Sequence, residues 1–434
     1  MMRNTWVLVH RCAGLAIALF LIFSGLTGAV ISWDHELDEW LNPDLFETAS
    51  KGKPVAPLEL AARIEAADLR ASVSFVPLQH EEGHTAIFGV DAKLNPATSE
   101  LYDIGYNQVF VDPVTGEVQG KREWGAVSLA SENLMPFLYK LHFTLHIPQM
   151  WGIDSWGVWL LGIVALIWML DCFVGFYLTL PMKRRHAGTV NTETSDRGLL
   201  GSNPNRSWWQ RWKPAWQVKS NRLNFDLHRA FALWTWALLF VVAFTAASLN
   251  LYRELFFPVL STVSEVTPGP FEVRTPRPIN EPIERKISYA RIIEDAKADA
   301  ARCGWREPAG FAFYSPGFGV FGVGFHEPGN DHGSGGLGVK TLYYDGQDSH
   351  YLGDRIPWQG TAADIFNQLQ FPVHSGRILG IPGRILISGI GLVVATLSVT
   401  GIVIWLRKRR QRVARKKFSL PRLSGRAQTD ASAR

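Results

Sequence analysis

The stretch from Val7 to Trp33, VLVHRCAGLAIALFLIFSGLTGAVISW, is apolar over the ~20 residues a bilayer crossing requires and carries a histidine, His10, just inside its first turn. An imidazole in hydrocarbon is costly unless something binds it, so His10 points to a ligand or a proton. The device recurs 218 positions later. His228 opens another apolar run, and in the same ungapped register Arg11 meets Arg229, Thr27 meets Thr245, and Glu36-Leu37 meets Glu254-Leu255. The chain reads as a duplicated unit with a histidine-bearing helix at the head of each half.

Of the 434 residues 47% are hydrophobic, and they are clumped into four membrane-length runs, 7–33, 156–180, 229–251 and 378–406. Trp156, Trp159, Tyr252 and Trp405 stand near their ends, where amphipathic rings favour the interface. The first run is too long for a signal-peptide core and lacks a convincing A-x-A site, so it is read as a retained helix. Basic residues set the orientation. Lys183, Arg184, Arg185, Arg206, Arg211, Lys213, Lys219 and Arg222, together with RKRRQRVARKK from Arg407 to Lys417, belong in the cytoplasm. Between Asp34 and Met150 there are 18 acidic against 8 basic residues, and this segment then lies outside. The net charge of +5 is thus a topology signal, and no nucleic acid is expected as a partner. Cys12 and Cys172 fall in membrane runs, which leaves Cys303 alone outside and no disulfide framework.

The expected fold class is an α-helical membrane protein, with four transmembrane helices from an internal duplication and two extracytoplasmic α+β modules. In order these are helix one (1–33), the first outer module (34–150), helix two (151–181), a cytoplasmic loop (182–226), helix three (227–252), the second outer module (253–373), helix four (374–406) and a basic tail (407–434). Both termini lie inside. In the first module the spacing predicts a helix from Leu58 to Arg70 and strands over Ala71–Val76, Thr85–Val90 and Gln108–Gly120. The second repeats the order, with a helix from Ser288 to Cys303, strands from Gly310 to Phe325, and a turn within Thr341–Gly353. Placing Asp112 on Asp345 puts Gly120 on Gly353 without a gap. GNDHGSGGLG (Gly329 to Gly338) lacks the helix and Gly-Lys-Ser/Thr ending of a phosphate cradle and reads as a flexible hairpin loop. The tryptophans around Trp208 to Trp212 read as interfacial anchors.

Helices two and four are preceded by LYKLHFTLHIPQMWG (Leu138 to Gly152) and FNQLQFPVHSGRILG (Phe366 to Gly380). With Leu141 set on Leu369, His146 meets His374 and His142 meets Gln370. Each half supplies one histidine at the cytoplasmic end of its first helix and one at the outer end of its second. Pairing across the duplication joins His10 with His228 inside, and His374 with His146 or His142 outside; His35 is a spare for the outer pair. Two facing imidazoles are what a b-type haem needs for axial ligation. Arg11 and Arg229 beside the inner pair, and Arg377 and Arg384 after His374, stand where haem propionates need partners. Gly25, Gly28, Ala246, Ala247, Gly175 and Gly401 allow close helix approach or room for a flat macrocycle. Interfacial anchoring is the plainer reading of any single histidine, although four at matched positions favour ligands. Zinc is a further reading, because His142 and His146 have the i, i+4 spacing of one helical face, but no acidic or cysteine third ligand sits at useful spacing. Covalent c-type attachment is excluded, since no Cys-x-x-Cys-His occurs. Asp171, an acid inside helix two, has no counterpart in helix four, where Leu397 takes its place; a functional role and an interhelical hydrogen bond both fit it.

From His374 to Trp405 the chain resembles the closing helix of the PepSY-associated transmembrane family. LHFTLH followed by Val158 to Pro181 resembles that family's second helix, and HRCAGLAIALFLIFSGLTGAV its first. The resemblance spans nearly the whole chain apart from the cytoplasmic loop and the tail. It implies PepSY-like α/β modules outside, consistent with the VDPVTGEVQG turn. Similarity to members that act as inner-membrane ferric-siderophore reductases implies two b haems on His10, His228, His374 and one of His142 and His146. The activity implied is a haem-dependent ferric reductase of the bacterial inner membrane, embedded in lipid bilayer and passing electrons outward to a ferric siderophore or other ferric chelate. The donor is a quinol or a cytoplasmic reductase; the flavin reductase fused to some relatives is absent here. With two histidines on each iron no catalytic residue is assigned, and the chelate would dock at the outer edge beside Arg377, Trp358 and Gln370. The competing classes are a quinone-linked electron carrier, a haem-free transporter, and a haem-free PepSY-type binding or regulatory protein.

Overall fold

A segment immersed in hydrocarbon must close its backbone hydrogen bonds within itself, and the apolar runs accordingly fold as helices. The computed structural model describes residues 2–151, 153–180, 212–213 and 220–419. The first half contains α1 (Met2–Ile31), α2 (Asp34–Leu41), α3 (Pro57–Ala67), α4 (Ser131–Thr144) and α5 (Trp156–Thr179). The second contains α6 (Ser220–Trp234), α7 (Trp236–Asn250), α8 (Tyr289–Arg302), α9 (Ala362–Gln368), α10 (Gln370–Ser375) and α11 (Ile381–Ser419). Among the described residues α1, α5 and α11 are each long and apolar enough to cross a membrane. Val7, Leu19, Phe23, Leu26 and Val30 of α1 are exposed, as are Ile163, Leu170 and Phe173 of α5, which is surface suited to lipid. Most of the expected cytoplasmic loop, including the tryptophans before Trp212, and the tail beyond residue 419 lie outside the described residues.

The third apolar run departs from the expected single helix. It breaks at Thr235 into α6 and α7, which reach span length only as a pair. At the break the Thr235 hydroxyl and backbone N–H both donate to the Phe231 carbonyl, at 2.7 and 3.1 Å.

The chain gathers into two compact units. One comprises Met1–Ile22, Leu170–Trp236 and Val394–Arg434; the other comprises Phe23–Met169 and Ala237–Val393. Within the second, β1 (Ala71–Pro77), β2 (Ala86–Ala92), β3 (Gln108–Val111) and β4 (Val118–Arg122) form an antiparallel meander. A second meander is made by β5 (Ala309–Ser315), β6 (Val320–Phe325), β7 (Lys340–Asp345) and β8 (Tyr351–Arg355). Two separate outer modules are expected from the sequence, but the meanders join edge to edge into one eight-stranded sheet, ordered β4-β3-β2-β1-β5-β6-β7-β8. Phe75 pairs with Phe313, Val76 with Ala312 and Pro77 with Phe311, so neither inner strand is left as an unpaired edge.

The two meanders share a register. Phe110 pairs with Gly120 and Tyr343 with Gly353, and in both hairpins the register shifts at the next residue. Asp112 accepts hydrogen bonds from the backbone N–H groups of Val114 and Thr115, and Asp345 from that of Gln347, so equivalent carboxylates tie down equivalent turns. The amphipathic helices α3 and α8 cover one face of the sheet. Leu60 and Ile64 from α3, with Ile292, Ala296 and Ala300 from α8, share one buried cluster with Val73, Val109, Phe321, Val323 and Leu342. Ser288 caps α8, its side chain accepting from the Arg291 N–H. The loop from Gly329 to Gly338 is more firmly held than its composition suggests: His332 Nε2 lies 2.9 Å from the Arg377 guanidinium, and the Trp358 indole donates to the Ser334 carbonyl.

Candidate functional site: two histidine pairs

His142 on α4 and His374 on α10 meet with ring centres 6.2 Å apart. Each is held by a threonine from the helix at the head of its own half. Thr27 donates its hydroxyl to the Phe23 carbonyl at 2.7 Å, and Thr245 donates to that of Val241 at 2.9 Å. Each hydroxyl oxygen is then an acceptor toward imidazole Nδ1, 3.0 Å away in both cases. Nδ1 is therefore the protonated nitrogen and Nε2 carries the lone pair, the tautomer a metal-ligating histidine needs. Neither Nε2 atom forms a hydrogen bond among the described residues. Two imidazoles on opposite sides of one metal ion, each bonded at about 2.0–2.1 Å, place their ring centres about 6 Å apart, which is the separation found here. Gly28 makes room for one of the rings, since a Cβ there would lie 2.9 Å from His142 Cε1.

The second pair lies wholly in the other unit. His228 on α6 has Nδ1 2.9 Å from the Thr400 hydroxyl, which itself donates to the Thr396 carbonyl at 2.8 Å. His10 on α1 instead has Nδ1 2.9 Å from both carboxylate oxygens of Asp171 on α5. His10 and His228 fall within the same compact unit. Glycines again face the rings: a Cβ at Gly175 would meet His10 Cε1 at 3.5 Å, and one at Gly401 would meet His228 Cε1 at 3.4 Å. Both Nε2 atoms lack a hydrogen bond among the described residues, as in the other pair.

Several expected participants stand apart. The i, i+4 relation between His142 and His146 is broken, because α4 ends at Thr144 and both Leu145 and His146 take left-handed backbone angles, φ 55° and 51°. His146 consequently folds back onto Phe137, with ring centres 4.7 Å apart and Nε2 bonded to the Phe137 carbonyl at 2.9 Å. The environment that matches His374 is that of His142, not the residue aligned with it in an ungapped register. His35 lies 3.5 Å from Glu39 on the exposed side of α2. Gln370 is buried, accepting from Ser248 and donating to the Phe366 carbonyl, which removes it as a contact for a docked molecule.

Three of the four arginines read as propionate partners are already engaged. Arg229 pairs with Asp226 at 2.7 Å, Arg377 contacts His332 and Asp34, and Arg384 makes a two-pronged bond to Glu36 with both contacts at 2.6 Å. The Arg384 hydrogen bond holds the Glu36 carboxyl down at about 2, so this pair persists across neutral and mildly acidic pH. Arg11, beside His10, has no hydrogen bond or ion pair among the described residues.

The three threonines were the part of the site that composition hid. Thr27 and Thr245 do recur in register within apolar runs, and that repetition of a hydroxyl is the signal that marks them. Thr400 has no such twin. Comparison with curated proteins returned no match. The model of the PepSY-associated TM region matches residues 7–408, nearly the whole chain, and this membrane protein therefore belongs to the PepSY-associated transmembrane family.

Proposed function

We propose that the chain is a di-haem b electron-transfer protein of a bacterial inner membrane that reduces a ferric chelate, such as a ferric siderophore, on the outer face. The observation that carries this reading is the common state of four histidines: His10, His142, His228 and His374 each have Nδ1 engaged and Nε2 without a hydrogen bond. Simple interfacial anchors have no need of that tautomer. Zinc fits the residues poorly, because neither pair belongs to a group of three or more ligating side chains among the described residues, and Asp171 is turned to the far nitrogen of its histidine.

Haem b bound between each pair would supply one-electron redox chemistry at a potential set by its ligands and their surroundings. The residues of this chain hold and orient. Thr27, Thr245, Thr400 and Asp171 fix ring direction, and Gly28, Gly175 and Gly401 leave the ring edges clear. On this reading there are four membrane spans, counting α6 and α7 as one broken span, with both termini in the cytoplasm and the sheet in the periplasm; the basic residues from Arg407 onward support that orientation. Because each haem would be held by two histidines, a ferric chelate would receive electrons without binding the haem iron. Trp358, 44% exposed, and Arg377, just past the end of α10, are the candidate docking groups on this reading.

Mixing the dithionite-reduced protein anaerobically with ferric chelates and a ferrous trap tests the assignment. Haem reoxidation should match the ferrous iron formed, survive Cys303→Ser, and slow sharply in His374→Ala. Reduced haem that ignores every ferric chelate but is reoxidised by a quinone would make the protein a quinone-linked carrier. A separate expectation concerns Gly28→Val. The added side chain displaces His142, so haem at that pair alone is lost, whereas Gly14→Val, with open space around it, leaves haem content unchanged. Equal loss in both variants would show that Gly28 has no special relation to the ligand.

A further inference from the structure

The four histidine supports differ in one respect. Three imidazoles give their Nδ1–H to a threonine hydroxyl, and only His10 gives it to a carboxylate. Asp171 is buried in an apolar helix, and its one ion-pairing partner among the described residues is His10. A charged group in that position is costly, and a hydroxyl would have oriented the ring equally well, as it does for His228. The matched segment of α11 shows the alternative: when Gly175 is set on Gly401, Leu397 stands in place of Asp171, and Thr400 stands in place of Val174. Geometry alone therefore does not account for the carboxylate.

We infer that Asp171 is a positioning residue that lowers the reduction potential of the His10–His228 centre relative to the His142–His374 centre. The inference rests on the two-haem reading. A carboxylate accepting from Nδ1–H draws the proton toward itself and makes Nε2 a stronger electron donor, which favours the ferric over the ferrous state of an iron bound there. A threonine hydroxyl exerts no such pull. With both termini inside, the low-potential centre lies at the cytoplasmic end, where the donor delivers, and the high-potential centre lies beside the outer acceptor. One side chain thereby gives electron flow a downhill direction that the duplication alone would leave level.

The test is a potentiometric titration of the purified full chain, followed through its haem absorption. Wild type should titrate in two separated waves. Asp171→Asn should raise the lower wave toward the upper by at least a tenfold change in the ferric-to-ferrous ratio, about 59 mV for a one-electron couple, with haem content unchanged. The double variant D171L/V174T, which copies the arrangement on α11 and keeps a hydroxyl for Nδ1–H, should do the same and carries the test if D171N loses haem. A lower wave that stays in place with full haem content overturns the role of Asp171 while leaving the two-haem reading intact. So does movement of the upper wave alone, or loss of one haem in both variants, which would make Asp171 only a structural support. Absence of haem from wild type overturns the underlying reading instead.

Discussion

On the proposed two-haem reading, alanine at His142 or at His374 should remove one haem and leave the other, whereas alanine at His146 should leave both. The distinction follows from how α4 ends. Up to Thr144 the helix carries His142 toward Thr27 and His374; beyond it two left-handed residues turn His146 onto Phe137, where its Nε2 is already bonded. If each histidine pair holds a haem, losing one imidazole would leave it a single protein ligand and empty the site. Haem per chain should thus fall from about two to about one in His142→Ala and His374→Ala. The same loss, at the other site, is expected for His10→Ala and His228→Ala. Retention of both haems in His142→Ala, combined with loss in His146→Ala, would contradict the structure's choice between these neighbours.

The second large effect is on stability. Arg122 at the end of β4 is buried against Asp38 of α2 at 2.8 Å, and also donates to Gln108 and to the Glu132 carbonyl in the first turn of α4. Asn42 adds a bond to the Ser131 carbonyl, so α2, the sheet edge and the helix carrying His142 are tied at one point. Burial pushes the Asp38 carboxyl above its usual range even though Arg122 pulls it down. Arg122→Ala leaves that carboxyl buried without its cation, a change that costs about 3–5 kcal/mol. Melting of the detergent-solubilised protein should fall by roughly 10 °C. The double variant Asp38→Asn, Arg122→Met should recover much of the loss, since no charge is then stranded. If the double variant melts lower than Arg122→Ala alone, the pair is not the keystone described here.

Much of this was legible in the residues, and what was hidden has physical causes. Bilayer-length runs, the helices α3 and α8, and the paired Asp112 and Asp345 turns follow from local periodicity and turn chemistry, which act over a few residues. Joining the meanders through β1 and β5 depends on a contact between residues such as Val76 and Ala312, and no local pattern records it. The break at Thr235 lies within a run whose hydropathy is unbroken, so no local pattern marks it. His142 and His146 differ in which side of a helix end they fall, and the nearest stop signal, Pro148, stands three residues past the C-cap Leu145, which does not fix whether His146 is still helical. His10 and His228 are visible because the duplication repeats them, whereas His142 has Gln370 at its matched position and the twin of His374 is His146, which folds back onto Phe137. Their threonine and aspartate supports lie on other helices, so the pairing of Asp171 with His10 needed three dimensions.

The most direct test of the account is the optical spectrum of the purified protein, oxidised and then dithionite-reduced, with haem measured per chain after expression with adequate haem. Facing imidazoles with Nε2 open on both sides predict a low-spin bis-histidine b-type spectrum at about two haems per chain, unchanged on adding ligands that seek an open iron position. A colourless protein, or one whose haem binds such ligands readily, would contradict it.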